Sequence, residues 1–391
     1  MKQAVVLAAG EGNRLRPFTA NRPKAMISIA GKPVLEHVIR ALEQVGVRNM
    51  VLIVGYRREQ VFDYFGSGGQ FGVEITYVTQ EPRLGTAHAL AQAEEVVGDE
   101  FLVLSGDKLI EASTIARFVS VKPEAALVER VDSPARQGVA RVEDGLVSSI
   151  IERPGDSGHH IISTRIYALS REVFNFLEPN SAISDALNTM VARGKPLQAY
   201  ETDGLWLDIV YPWDILSLNG LILHQIRPEV GGIIEKGVSL RGPVSVGRNT
   251  VIRASSSVVG PVVIGEGCDI GPNVCLLAAT SIGDNVTVAP FSEVAGSVIG
   301  SDTSIGAGSI IQDSVIDRGC VIGGRFTATS GCAEVKINNE YHSVRVGAML
   351  GEGCNLGSGV VAQPGTMVGN YSQVSALKLI GGWLPDRSLV F

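Results

Sequence analysis

Ile264-Gly-Glu-Gly-Cys-Asp-Ile270-Gly-Pro-Asn-Val-Cys-Leu276 carries one pattern at six-residue spacing, and that spacing decides the fold of the second half of the chain. Stepping by six outward gives Ile234, Leu240, Val246, Ile252 and Val258 before it, and Ile282, Val288 and Val294 after it. After one-residue slips the pattern resumes at Ile299, Ile305 and Ile311, then at Ile316 and Ile322, and it returns at Leu350, Leu356, Ala362, Val368 and Val374. Glycine follows many of these positions, as at Gly247, Gly265, Gly271 and Gly283. A branched apolar residue followed by a small one, every six residues, is the signature of a hexapeptide β-helix. Each hexapeptide makes one flat side of a triangular prism. The periodic residue points inward, and Gly or Asn takes the corners that need a positive φ. The repeat follows Pro228, where the composition shifts to Gly, Ser, Val and Ile, so the expected domains are 1–227 and 228–391.

The first 225 residues read differently, as strands alternating with helices. Residues 33–45 have helical spacing, with Leu35, Val38, Ile39 and Leu42 on one face. Residues 50–54, 73–78 and 101–104 read as strands, 60–65 as a short helix, 86–97 as an alanine-rich helix, and 212–225 as a closing helix. This order implies an α/β domain, a Rossmann-like and mostly parallel sheet with helices on both faces. In such sheets ligands bind beyond the carboxyl ends of the strands.

The first strand opens into Leu7-Ala-Ala-Gly-Glu-Gly-Asn-Arg-Leu-Arg-Pro-Phe-Thr-Ala-Asn-Arg-Pro-Lys24. Gly10 and Gly12 let the backbone bend sharply and bring N–H groups close to an anion. Arg14 and Lys24 add fixed charge, one as a planar fork and one as a point charge. The combination suits a polyphosphate. A dinucleotide fingerprint fails because Leu15 stands where a third small residue is needed, and no acid follows about 20 positions on in the right context. The Walker A pattern fails too, with Lys24 fourteen residues beyond Gly10. An ordinary βα turn with surface arginines is the plain alternative for this stretch taken alone.

Gly-x-Gly-x-Arg-Leu-x-Pro-x-Thr followed by Pro-Lys resembles the signature of the sugar-phosphate nucleotidylyltransferases, with Asn13 in place of the usual threonine or serine. The resemblance implies an enzyme that joins an NTP to a sugar 1-phosphate and releases pyrophosphate with Mg²⁺. It implies Arg14 and Lys24 as catalytic cations, and Leu7, Ala9, Gly10 and Gly12 on the nucleotide side. The loop Gln80-Glu-Pro-Arg-Leu-Gly-Thr-Ala-His88 resembles the family's base-recognition loop, with Gln80, Gly85 and Thr86 in matching positions, and favours UTP or dTTP. Read without the resemblance, it is a loop and a helix cap.

Two strand-end acids complete the expected centre. Asp107 ends Leu102-Val-Leu-Ser-Gly-Asp, and Asp208 follows Trp206-Leu. The resemblance makes both metal ligands, in keeping with the preference of Mg²⁺ for one or two carboxylates plus phosphate oxygens. Asp214 reads as a first-turn acid of the following helix. On the sugar side the resemblance implies Gly138, Glu152, Arg153, Ser163 and Thr164. Arg153 replaces a common lysine, and Arg165 stands where relatives have glycine. Arginine there would crowd the pocket or supply a new anion contact.

The repeats resemble the left-handed β-helices of acyltransferases and of nucleotidylyltransferase C-terminal domains, which implies a homotrimer. Bifunctional relatives acetylate amino-sugar phosphates there, using a histidine after the first repeat block. This chain has Arg325-Phe-Thr-Ala-Thr-Ser-Gly331 instead, and His342 reads as a surface residue of an inserted loop. A binding subunit without turnover is the non-enzymatic alternative, against which the intact Arg14, Lys24, Asp107 and Asp208 weigh.

Bulk properties narrow the partners. The net charge of −7 with interspersed signs gives no footprint for nucleic acid or an anionic membrane. No apolar run approaches a membrane span, and the short run after Lys2 is too small for a signal peptide, so a cytoplasmic location is expected. Five cysteines show no metal-type spacing; Cys268, Cys320 and Cys354 each stand two residues before a repeat position and read as small buried side chains.

Overall fold

The computed structural model describes residues 1–131, 138–152 and 160–391. The chain forms two compact units. The first contains Met1–Glu11, Arg22–Met26 and Val34–Asp208; the second contains Gly12–Asn21, Ile27–Pro33 and Ile209–Phe391.

In chain order the elements begin with β1 (Gln3–Ala8), a small hairpin of β2 (Ser28–Ile29) and β3 (Lys32–Pro33), and α1 (Val34–Gln44). Next come β4 (Asn49–Val54), α2 (Arg58–Phe65), β5 (Glu74–Thr79), α3 (Thr86–Ala91), β6 (Glu100–Ser105), β7 (Lys108–Ile110) and α4 (Ala112–Ala116). The rest are β8 (Ala125–Arg130), β9 (Val139–Glu143), β10 (Leu146–Ile151), β11 (Ile161–Ser170), α5 (Ile183–Ala192), β12 (Gln198–Thr202), β13 (Trp206–Asp208) and α6 (Asp214–Leu223).

The first unit is built on a sheet of order β5-β4-β1-β6-β11-β8-β12-β10-β9. β5, β4, β1 and β6 are parallel, and their near-continuous apolar sequences are what a sheet covered on both faces requires. Val6, Leu52 and Leu104 pack with Leu35, Val38, Ile39 and Leu42 of α1, while Val5, Val51 and Val103 pack on the other face with Leu90 of α3 and Leu187 of α5. Beyond β6 the sheet is mixed, since β11 runs antiparallel to both β6 and β8, and β12 parallel to β8. The alanine-rich run leaves α-helical geometry at Ala91, short of the expected residue 97, and continues in turns that still bury Ala93 and Val97.

In the second unit, strands β14 (Glu229–Val230) to β41 (Leu389–Val390) form a left-handed parallel β-helix whose three faces carry nine, nine and eight strands. One interior column runs Ile234, Ile252, Ile270, Val288, Ile305, Ile322, Leu356 and Val374 in strand register. The gap in the repeat between Ile322 and Leu350 is filled by an antiparallel hairpin, β32 (Gly331–Ile337) with β33 (Glu340–Val346). The corners include Asn249, Asn273 and Asn285 as expected, but also Phe291 and Leu377, all at positive φ. Cys268, Cys320 and Cys354 are buried, each thiol donating to a glycine carbonyl of the next coil at 3.1–3.2 Å.

Two features of this unit depart from the sequence reading. His342 is 6% exposed rather than at the surface, its ring 4.5 Å from that of Tyr211 and 5.5 Å from that of Trp213. Segments from the N-terminal part of the chain also pack on the coils. Asn370 donates to the Pro17 carbonyl (3.1 Å), and Asn21 to the Tyr371 hydroxyl (3.3 Å). The fully buried Asn219 of α6 receives Ala30 N–H (3.0 Å) and the Ser281 hydroxyl (2.6 Å) while donating to the Ala279 carbonyl (3.0 Å). The Asn370 and Asn219 amides each satisfy backbone groups that would be costly to leave unpaired once buried.

Candidate active site

The carboxyl ends of β1 and β6 lie side by side in register, with Leu7 opposite Ser105. Ser105-Gly106-Asp107 therefore leaves the sheet beside Leu7-Ala8-Ala9-Gly10, and Gly106 N–H donates to the Leu7 carbonyl (2.8 Å). Beyond Asp107 the chain enters β7, which pairs antiparallel with β13 so that Lys108 faces Asp208. The two acids, 101 positions apart in sequence, belong to one unit, Asp208 ending β13 and Asp107 in the turn just before its partner strand β7.

Both carboxylates are paired with ammonium groups. Lys24, on a short 3-10 turn, contacts Asp107, and Lys108 contacts Asp208. Burial pushes the Asp107 carboxyl up, but Lys24, Lys108 and a Ser105 hydrogen bond outweigh it and leave the group at about 2. Asp107 is thus a fixed anion at neutral pH. The oxygen donors suit Mg²⁺, with one or two carboxylates and phosphate oxygens to finish the shell. Among the described residues no group of three or more His, Cys, Asp or Glu gathers.

Gly12 lies in the left-handed region (φ 73°) and starts the 3-10 turn Asn13–Leu15, on which Arg14 is exposed. Gln80 is buried, donating to the Gly85 carbonyl (2.8 Å) and lying 3.2 Å from His88 Nδ1. It closes the loop that precedes α3. Gly85 has φ 99°, and a Cβ there would come within 2.6 Å of the Ser181 carbonyl oxygen. Thr86 Oγ1 accepts from Ile183 N–H (3.1 Å), tying α3 to α5. Gly85→Ala is expected to destabilise the chain by about 1–3 kcal/mol, because alanine is strained there and meets backbone rather than a flexible side chain. Chemical denaturation of both forms would show it, and equal midpoints would remove the constraint on this loop.

Gly138, just before β9, and Glu152, just after β10, come together with Ser163 of β11: Ser163 N–H donates to the Gly138 carbonyl (2.8 Å), and a Cβ on Gly138 would touch the Glu152 backbone. Arg153 lies outside the described residues. Ser163 and Thr164 are buried, Thr164 donating to the Leu127 carbonyl (2.7 Å) and Ser163 3.3 Å from the Tyr167 hydroxyl. They shape a bulge in β11 whose register slips between Ser163 and Ile166. Arg165 occupies that bulge at φ 57°, a geometry that suits the glycine of relatives, and its Nη2 donates to Glu152 Oε2 (2.6 Å). Burial opposes the charged guanidinium, and Glu152, then Asp208, outweigh it.

The sequence reading did not single out Lys108. It is 1% exposed, pairs with Asp208, and lies 4.7 Å from the centroid of the Trp206 ring. The one signal was a lone cation between an aspartate and two apolar residues.

An α/β sheet with Lys24, Asp107 and Asp208 gathered in one unit is in keeping with a nucleotidyl transferase. The chain belongs to that family, whose model "Nucleotidyl transferase" matches residues 3–224, and the bacterial transferase hexapeptide model matches 243–278 and 261–296. More particularly, it is similar to the bifunctional protein GlmU of Methanococcus maripaludis, at 35% identity over 99% of this chain and 97% of that one. It is 30% identical to a bifunctional sugar-1-phosphate nucleotidylyltransferase/acetyltransferase of Sulfurisphaera tokodaii over 95% of each chain. A Bacillus anthracis protein assigned as a glucose-1-phosphate thymidylyltransferase superposes with a TM-score of 0.53 at 29% identity, covering 58% of this chain and 97% of that one. The chain is therefore a member of the nucleotidyl transferase family that carries hexapeptide repeats, with relatives named as sugar-1-phosphate nucleotidylyltransferases. Among the described residues no helix is long and apolar enough to cross a membrane.

Proposed function

We propose that residues 1–227 transfer a nucleotidyl group from UTP or dTTP to a hexose or N-acetylhexosamine 1-phosphate in one in-line displacement. A sugar-phosphate oxygen forms a bond to the α-phosphorus as the bond to the bridging β-oxygen breaks, and the electron pair leaves with pyrophosphate. The attacking phosphate is already an anion, so no strong base is needed; the difficulty is gathering anions, and the catalytic contribution is positioning and charge neutralisation. Lys24 turns from Asp107 to the α-phosphate or the incoming phosphate, and the resemblance gives Arg14 the β and γ groups. By the same resemblance the backbone of Leu7, Ala9, Gly10 and Gly12 is assigned to the nucleotide, and Gln80, Gly85 and Thr86 to the base. Glu152 accepts from sugar hydroxyls beside Gly138, Arg153 steadies the sugar's phosphate, and Ser163 and Thr164 shape the wall. Asp107 and Asp208 are the residues that would hold Mg²⁺, which when bound would neutralise charge on the phosphates.

The observation that carries this reading is the meeting of Lys24, Asp107, Lys108 and Asp208 in one unit. Pyrophosphate release from UTP, dTTP, CTP and GTP against a panel of hexose 1-phosphates tests it. UTP or dTTP should lead, and a clear preference for CTP or GTP would overturn the base assignment.

Residues 228–391 are proposed to assemble three chains. Ile310, Thr327, Val361 and Leu379 lie in register on one outer face, the three aliphatic ones 39%, 40% and 66% exposed, which supports an interface between copies. Light scattering should give three chain masses; a monomer would refute it. A cytoplasmic location belongs to the same reading. Acetyl transfer is a second reading, favoured by the relatives named bifunctional along nearly the whole chain. His342, buried with its ring tilted against those of Tyr211 and Trp213, does not offer an exposed base for it. Free coenzyme A formed from acetyl-CoA and glucosamine 1-phosphate would support acetylation, and its absence would retire it.

A further inference from the structure

Lys108 is a buried cation that the transfer chemistry leaves without a role. In the antiparallel β7–β13 pair, Lys108 stands opposite Asp208, Leu109 opposite Leu207, and Ile110 opposite Trp206. Directly opposed residues share a face and alternate residues return to it, so Lys108, Asp208, Ile110 and Trp206 share one. Ile110 and Trp206 sit in the hydrophobic core. The Lys108 stem is enclosed with them, and its ammonium meets two things that offset the loss of water: the Asp208 carboxylate and the face of the Trp206 ring. The ring is itself fixed, its indole N–H donating to Glu129 Oε2 (2.8 Å). Lys24, by contrast, is 19% exposed and belongs to a short turn, so it can leave Asp107 for a phosphate.

Counted together, Asp107, Asp208, Lys24 and Lys108 carry two negative and two positive charges. A site whose acids are already balanced has little net attraction for a divalent cation, and a fixed ammonium on one of those acids repels it directly. We propose that Lys108 is a built-in counter-ion that keeps the two-carboxylate site charge-balanced, so that Mg²⁺ enters with the nucleoside triphosphate and not ahead of it. The triphosphate draws Lys24 away and adds its own negative charge, and only then does the pair of acids attract the metal. Lys108 is a positioning residue here, acting through Asp208. This inference rests on the assignment of Asp107 and Asp208 as metal ligands.

Calorimetric titration of the full chain with MgCl₂ tests it, alone and with the non-reacting analogue α,β-methylene-UTP. Lys108→Met keeps an unbranched side chain beside Trp206 and removes the charge. The wild type should show no saturation with Mg²⁺ alone and clear binding in the presence of the analogue. Lys108→Met should bind Mg²⁺ alone at least about tenfold more tightly than the wild type, as expected when a like charge beside the ion is removed. Saturable sub-millimolar binding by the wild type without nucleotide would overturn the proposal, as would equal affinities for the two forms. Should the variant not fold, the wild-type pair of titrations decides by itself. Failure of pyrophosphate release with every substrate pair would count against nucleotidyl transfer, whereas the nucleotide-free titration reads the charge balance separately.

Discussion

Asp107→Ala is expected to lower kcat/KM for pyrophosphate release by about 10²–10³-fold, or roughly 2–4 kcal/mol of transition-state stabilisation, in line with loss of one preorganised electrostatic group. The carboxylate stands two residues past the end of β6, held by Lys24 and close to the charge of Lys108, so the alanine variant loses the proposed metal ligand and the group that parks Lys24. The chain should still fold, because the side chain lies at the rim of the sheet and is 20% exposed. A stability signature accompanies the catalytic one. The folded-state carboxyl sits at about 2, below its ordinary value of 3.8, so its contribution is present above about pH 4 and is lost as the pH falls through 2. In metal-free buffer the difference in melting temperature between wild type and Asp107→Ala should therefore shrink from pH 5 toward pH 2.5. Full activity in the purified variant would refute the metal and phosphate assignment.

Ile305→Asp should have the largest effect on stability, more than about 4 kcal/mol, because it places an unpaired charge in a dry core. Ile305 is fully buried and stacked between Val288 and Ile322 in the interior column. Its neighbour Ser304 points outward on the same strand, and Ser304→Asp should change stability by no more than about 0.5 kcal/mol. Denaturant midpoints of the two variants form the comparison. Equal midpoints would mean that the six-residue pattern does not mark the inside of the prism.

That pattern was legible because a β-helix repeats one environment, and every sixth side chain meets the same column. The corners were less legible. Asn at a positive-φ corner follows from its local chemistry, whereas Phe291 and Leu377 are held there by the coils above and below, which override local preference. The parallel half of the first sheet could be read from apolar strands alternating with helices. Its mixed half could not, because pairing across β11 depends on strands that are distant in sequence.

At the candidate site, Lys24, Asp107 and Asp208 were found by motif, and the structure brings them into one unit. Lys108 escaped because a lysine beside an aspartate reads as a solvated surface pair; only the β7–β13 register turns it inward. Arg165 was noticed as a departure, and the bulge explains how a position suited to glycine accepts arginine: the side chain reaches Glu152. His342 was misplaced at the surface because nothing local in β33 reveals that Tyr211 and Trp213 cover it. The attachment of Asn21 and Pro17 to the coils was invisible for the same reason, since the partners lie 350 and 353 positions away.

The central claim is that Lys24, Asp107 and Asp208 serve one displacement at an α-phosphorus. Its most direct test follows both products when UTP or dTTP, a hexose 1-phosphate and Mg²⁺ are incubated with the full chain. One equivalent of pyrophosphate should appear for each nucleoside diphosphate sugar, and none when the sugar phosphate is omitted. Pyrophosphate released without sugar phosphate, or no release with any pair, would contradict the account.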